Sequence, residues 1–161
     1  MKELLLIGGG GHCRSVIDVI ECANEYKIVG IVEKDHSVDN ICGYDVIGTD
    51  DQLKALIGQH GHILVTVGQI KTADIRKQLF EKAKRFGALL PVIVSPAAYI
   101  SRHATVKFGS VVMHGAIVNT CVVIFSSRAS SPKKSHRRHY CEFCHVFSYF
   151  VYCFVWYVRP F

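Results

Sequence analysis

Residues 125–161 contain no glycine and a single acid, Glu142. A stretch without either does not follow the grammar of the chain before it, where glycine marks the turns and acids balance Lys and Arg. The N-terminus lacks the basic and apolar leader of a secretory signal, because Met1–Ile7 runs straight into glycines. The seven cysteines lack framework spacing. With no leader, they point to reduced thiols in a cytoplasmic protein rather than to a disulfide scaffold. Phe143–Val158 is a 16-residue apolar and aromatic run interrupted by His145 and Ser148, short of the about 20 residues of a spanning helix. It reads as an exposed, aggregation-prone segment before it reads as a membrane contact.

Residues 1–124 hold 13 Lys+Arg against 12 Asp+Glu and all 13 glycines, and residues 125–161 hold six Lys+Arg and 11 of the 17 aromatics. Nearly all of the +6 net charge therefore belongs to the last 37 residues. The basic pI near 9.0 is no nucleic-acid footprint of the whole chain, and no nucleic-acid partner is expected.

A six-residue rhythm dominates the middle of the chain. Aliphatic residues recur at Ile100, Val106, Val112, Val118 and Ile124, and the position four further on carries Ala104, Ser110, Ala116 and Val122. Such a period writes a left-handed parallel β-helix: each hexapeptide is one face of a triangular coil, with the aliphatic side chain inside and the small one at the corner. Strands alone would give a period of two. The next positions in step, Ser130, His136 and Glu142, do not continue the rhythm.

The front of the chain reads as strand, glycine turn and helix. Lys2–Ile7 is a buried-strand run, Gly8-Gly9-Gly10-Gly11-His12-Cys13 follows, and Arg14–Ala23 carries a helical stripe at Val16, Ile17, Val19 and Ile20. This arrangement suits an anion, because glycines admit a phosphate close to the backbone and the helix N-terminus offers N–H groups and a positive dipole end. A second strand, Ile28–Val32, ends in Glu33-Lys34-Asp35, where a βαβ unit places an acid for a ribose. The third glycine of G-x-G-x-x-G is replaced by Cys13, which reads as a packing residue rather than a thiolate nucleophile.

The alternation continues. Thr49-Asp50-Asp51-Gln52 has the form of a capping box before a helix through Leu53, Leu56 and Ile57. His62–Val67 reads as a third strand ending in Gly68. Thr72 opens a helix to about Phe86, with Ile75, Leu79 and Phe80 inward and Lys77, Lys82, Lys84 and Arg85 on a solvated face. Pro91–Val94 reads as a last strand, and Ser95-Pro96 leads into the sixfold repeat.

The glycine turn followed by His12, the acid after strand two, the Val67-Gly68 turn ahead of an inner Arg76 and the Ser-Pro-x-Ala-x-Ile lead into hexapeptides together resemble one bacterial family. These are the sugar O- and N-acetyltransferases of the bacillosamine and sialic acid type, with a Rossmann-like N-terminal domain and a trimeric left-handed β-helix. The resemblance covers about residues 1–124. It implies transfer of acetyl from acetyl-CoA to a nucleotide-linked or sialic-acid-type sugar, with no metal. It implies that Gly8, Gly9, Gly10, Gly11 and His12 border the nucleotide, that Asp35 meets the ribose or uracil and that Gly68 lines the pocket floor. It further implies a homotrimer with CoA between neighbouring β-helices and, as general base, a histidine followed by an acid on a later coil.

That histidine has no counterpart here, so the catalytic residue is unassigned. Ser-His-Arg-Arg-His-Tyr, with His136 and His139, stands in its region without a following acid or a hexapeptide. The expected cause of the abrupt change of composition is a reading-frame shift after Ile124 followed by an early stop. Cys141-Glu142-Phe143-Cys144-His145 matches the c-type haem attachment pattern, but such attachment requires export. His136, His139, Cys141 and Cys144 lack the loop that closes a zinc finger around its metal.

The expected fold is α/β: a small Rossmann-like parallel sheet with flanking helices over residues 1–90, the start of a left-handed parallel β-helix over 91–124, and an irregular tail over 125–161. The alternative function is a stand-alone nucleotide-binding module or an NAD(P)-linked protein. The hexapeptides favour the acetyltransferase, since a dehydrogenase has no use for them.

Overall fold

The computed structural model describes residues 1–35, 37–68 and 73–125. It opens with β1 (Lys2–Ile7), α1 (Gly11–Ala23) and β2 (Tyr26–Val32), and β1 and β2 pair in parallel. Four consecutive residues of β1 are buried because both faces of the strand are covered. Leu4 and Leu6 join a core with Val16, Ile17 and Ile20 of α1, whereas Leu5 and Ile7 join a second core on the opposite face. α1 begins at Gly11 rather than Arg14, so His12 and Cys13 lie in its first turn. Cys13 is fully buried, and desolvation pushes its thiol pKa up, as suits a packing residue.

A hairpin not anticipated from the sequence widens the sheet. β3 (Asn40–Ile41) and β4 (Tyr44–Gly48) are antiparallel, and β4 runs parallel to β2. The two-residue turn is Cys42-Gly43, both at positive φ, the conformation of a tight hairpin turn. Cys-Gly is a weaker signal than Asn-Gly, and the two-residue β3 is too short to show alternation. With β5 (Ile63–Val65) the sheet order is β3-β4-β2-β1-β5.

α2 (Leu53–His60) and α3 (Asp74–Arg85) supply Leu53, Ile57, Leu79, Phe80 and Ala83 to the second core. The capping box forms only in its reverse half. Gln52 itself occupies the N-cap, and its side-chain oxygen accepts from Thr49 N–H at 3.2 Å. Ile75, expected inward, is 61% exposed. At about 100° per residue, the inner stripe of α3 is Arg76, Leu79, Phe80 and Ala83, and Ile75 lies roughly a quarter turn from its centre. Lys82 also departs from the expected solvated face: it is half-buried and donates to Asp50 O at 2.9 Å.

The sixfold rhythm becomes six short strands, β6 (Ile93–Val94), β7 (Tyr99–Ile100), β8 (Thr105–Val106), β9 (Val111–Val112), β10 (Ile117–Val118) and β11 (Val123–Ile124). The first three each pair in parallel with the strand three further on: Ile93 with Val111, Tyr99 with Ile117 and Thr105 with Val123. Partners are thus three hexapeptides apart, one triangular coil, and this is the start of a left-handed parallel β-helix. Pro91–Val94, read as a strand at the head of the 91–124 segment, supplies β6, which pairs in the coil. Val94 is six before Ile100 and therefore in step, so the six strands make two turns. Val112 and Val118 are buried inside, where complete burial of such a side chain contributes roughly 1.5–3 kcal/mol. Gly109, Gly115 and Cys121, six apart, make the corners at φ of 70°, 70° and 64°.

Ile93 is buried in the α1-side core, with Val111 and Met113 packed against it. Sheet, α1 and coil therefore share one apolar cluster. No helix among the described residues is long and apolar enough to cross a membrane. The haem-like motif, the His136/His139/Cys141/Cys144 cluster and Phe143–Val158 lie outside the described residues.

Candidate functional site

The C-terminal ends of β1, β2 and β5 converge on the glycine turn, the place where parallel α/β sheets hold ligands. Gly8 takes φ of +98°, and a Cβ there would collide with the side chain of Val67 and lie 3.1 Å from its backbone N. Gly9 has no room for a side chain either, since Ile41 and Glu33 fill that space. Thr66 ties the turn to β5: its hydroxyl donates within a bifurcated contact to Ile7 O at 3.0 Å and Gly8 O at 2.6 Å. These contacts make the turn rigid and its shape dependent on glycine.

Gly10 and Gly11 differ, because nothing lies within 4 Å of a Cβ placed on either. Gly10 is the N-cap of α1, contributes no side-chain cap, and the first turn carries no acid. Gly10 and Gly11 are exposed, so this helix end is open to solvent, and the dipole there favours an anion.

His12 and Arg76 flank the turn on the β5 side. Arg76 donates to Val67 O at 3.2 Å, and a Cβ on Gly68 would sit 3.4 Å from His12 Cβ. Burial, helped by the nearby Arg76 charge, lowers the His12 pKa to about 4, so its ring is neutral at pH 7. Burial lowers the Arg76 pKa too, and Arg76 remains the cation beside the turn.

The acid at the turn is Glu33 rather than Asp35. Glu33 Oε2 accepts from Gly9 N–H, and Oε1 accepts from Lys34 N–H at 2.8 Å. Asp35 Oδ1 accepts from the Ser37 N–H at 2.9 Å and hydroxyl at 2.7 Å, shaping the next loop. Both acids line a cleft of about 580 Å³ together with Asp39, Asp51 and Gln52. Such a wall of acceptors suits hydroxyl and N–H donors and repels phosphate. Glu33 was legible in principle, being the first residue after β2. Arg76 was noted as an inner residue, but nothing in its spacing announced its nearness to His12.

The sequence-expected residues thus fall into two neighbouring places. Gly8, Gly9, Gly10, Gly11, His12 and Gly68 surround one turn, and Asp35 lines the acidic cleft beside it. Among the described residues the coils contribute no histidine followed by an acid.

A family model described as the PglD N-terminal domain matches residues 3–83. The structure is similar to a mutant of perosamine N-acetyltransferase from Caulobacter crescentus in complex with CoA and GDP-perosamine, with a TM-score of 0.70 and 29% identity over 77% of this chain and 57% of that one. It is also similar to the acetyltransferase domain of PglB from Neisseria gonorrhoeae in complex with acetyl coenzyme A, with a TM-score of 0.66 and 35% identity over 76% of this chain and 58% of that one. The chain spans less than two thirds of the length of either. Comparison with curated proteins gives no match.

Proposed function

Because the chain belongs to the PglD N-terminal domain family, we propose that its α/β part holds a nucleotide-linked sugar for an acetyl-CoA-dependent sugar acetyltransferase. The carrying observation is the occurrence, in one chain, of a glycine turn at an exposed helix N-terminus and a parallel coil packed on the same helix. The similar solved structures hold CoA with GDP-perosamine in one case and acetyl coenzyme A in the other, which supports this reading over an NAD(P)-linked one.

In this reading the nucleotide phosphates lie at Gly10, Gly11 and His12, on a floor shaped by Gly8, Gly9 and Gly68, with Arg76 as the nearby cation. The ribose and base turn toward the acidic cleft, where Glu33 and Asp35 accept hydroxyl hydrogen bonds. A turn built for phosphate favours a nucleotide-linked amino sugar over a free sialic-acid-type sugar. In the reaction the sugar amine attacks the thioester carbon of acetyl-CoA, a C–N bond forms, the C–S bond breaks, and a base removes the amine proton as the CoA thiol leaves. The acetyl half of such a site, completed by further coils and by neighbouring subunits of a trimer, draws on more chain than residues 93–124.

Calorimetric titration of the purified chain with GDP, UDP, CMP, NAD and acetyl-CoA tests the assignment. Saturable binding of a nucleoside phosphate, weakened by Arg76→Met, is expected. Preference for NAD, or no nucleotide binding by a folded chain, overturns it. Nucleotide binding without acetyl-CoA binding would mark an intact sugar-nucleotide half beside an incomplete acetyl half.

A further inference from the structure

The outer edge of α1 faces the coil away from the glycine turn, and three side chains of different chemistry meet there. Asp18 and Cys22 stand one helical turn apart on α1, and His114 projects from the corner between β9 and β10. Their ligand atoms, a carboxylate oxygen, a thiol sulfur and an imidazole nitrogen, all lie within 4.8 Å of one another. His114 Nε2 is 3.0 Å from Asp18 Oδ2. We propose that Asp18, Cys22 and His114 bind a zinc ion that clasps helix α1 to the first coils.

The backbone under this cluster is already held. Ile93, Val111 and Met113 of the coil pack with Val16, Ile17 and Ile20 of α1, so the ligands do not depend on the ion to be brought together. Only side-chain adjustment is needed to reach zinc distances, about 2.0–2.3 Å for N, O and S donors.

The histidine is also aimed. Its Nδ1 lies 2.6 Å from Ser95 Oγ, and Ser95 is 1% exposed. The same hydroxyl accepts from Ala97 N–H at 3.0 Å. The equivalent corner one hexapeptide on repeats the pattern, with Ser101 Oγ 3.1 Å from Thr120 Oγ1. The ring is thus anchored through Nδ1 to a buried hydroxyl, which leaves Nε2 as the atom facing Asp18 and Cys22. A metal-binding imidazole is commonly fixed by such a bond through its other nitrogen.

The donor set selects the ion. One thiolate and one imidazole exclude magnesium and calcium, which take oxygen ligands, and favour zinc in tetrahedral geometry. All three side chains are exposed, so solvent supplies a fourth ligand and the ion has free access. The role is structural: the site lies on the flank of α1, outside the turn and cleft assigned to nucleotide.

Cobalt(II) titration of the full chain reads the site directly, because a cobalt thiolate gives a near-ultraviolet charge-transfer band and tetrahedral cobalt gives intense visible bands. Cys141→Ser, Cys144→Ser and Cys153→Ser are introduced first, so that tail thiols do not contribute. The expected result is saturable cobalt binding with both signatures in this background, displaced by zinc. The charge-transfer band is lost in Cys22→Ser, and saturable binding is lost in His114→Ala. Circular dichroism of the metal-free variants confirms that these exposed substitutions leave the fold in place; should His114→Ala fail to fold, Asp18→Asn replaces it. A chain that shows no thiolate band, or a band that survives Cys22→Ser, overturns the proposal.

Discussion

The side chains around the glycine turn show how burial alters ordinary chemistry. His12 is held neutral because the folded chain desolvates it beside Arg76. With its folded pKa near 4 and an unfolded value of 6.5, the unfolded chain binds more protons between these values. Stability is therefore highest above pH 6.5 with respect to this group and falls as the pH drops toward 4. Urea midpoints across this window are expected to fall more steeply for the native chain than for His12→Gln. Equal slopes would show that His12 is not desolvated. At the coil corners, Cys121 adopts a left-handed conformation that Gly109 and Gly115 occupy twelve and six residues earlier. A non-glycine residue there costs about 1–2 kcal/mol, partly offset by the greater freedom of glycine in the unfolded chain. Cys121→Gly is expected to raise unfolding stability by about 0.5–1 kcal/mol in urea denaturation. The turn itself was legible from its glycines, and Cys13 was legible as a packing residue. The choice of Glu33 over Asp35 was not, because two residues along an irregular loop decide which carboxylate reaches Gly9, and no period governs a loop.

Elements with a long apolar period were readable and those without one were not. β1 and β2 combine apolar runs with a glycine boundary, and α1 shows a complete stripe. The β3–β4 hairpin buries fully only Ile41, and its turn is Cys-Gly. In α3 the stripe begins with Arg76, so a hydrophobic count selects Ile75 in its place. The difference has a direct consequence for stability. Leu79→Ala is expected to cost about 2–4 kcal/mol, whereas Ile75→Lys should stay within about 0.5 kcal/mol of the native chain. A large loss in Ile75→Lys would mean that this face of α3 is covered. Pro91–Val94 was legible as a strand for a different reason. Its local pattern is a plain strand, and only the step of six to Ile100 assigns it to the coil.

At the scale of the whole molecule, the sheet, α1 and the coil share Ile93, which is 2% exposed. Unfolding of the α/β part and of the coil is therefore expected to be one transition. Ile93→Ala should lower it as a unit by about 2–4 kcal/mol, seen as coincident shifts in circular dichroism and in amide exchange at Leu6 and Val112. Separate transitions would show that the coil docks weakly.

The sequence by itself determined the alternation of strands and helices, the glycine turn and the six-residue coil, because each is a local pattern repeated along the chain or punctuated by glycine. Only the tertiary structure decided that Glu33 closes the turn, that Arg76 stands beside His12, that Ile93 joins two architectures in one core, and that Asp18, Cys22 and His114 meet. The Glu33–Gly9 contact spans 24 positions and the His114–Asp18 contact 96, and a distance of that kind is set by packing, which no local period records.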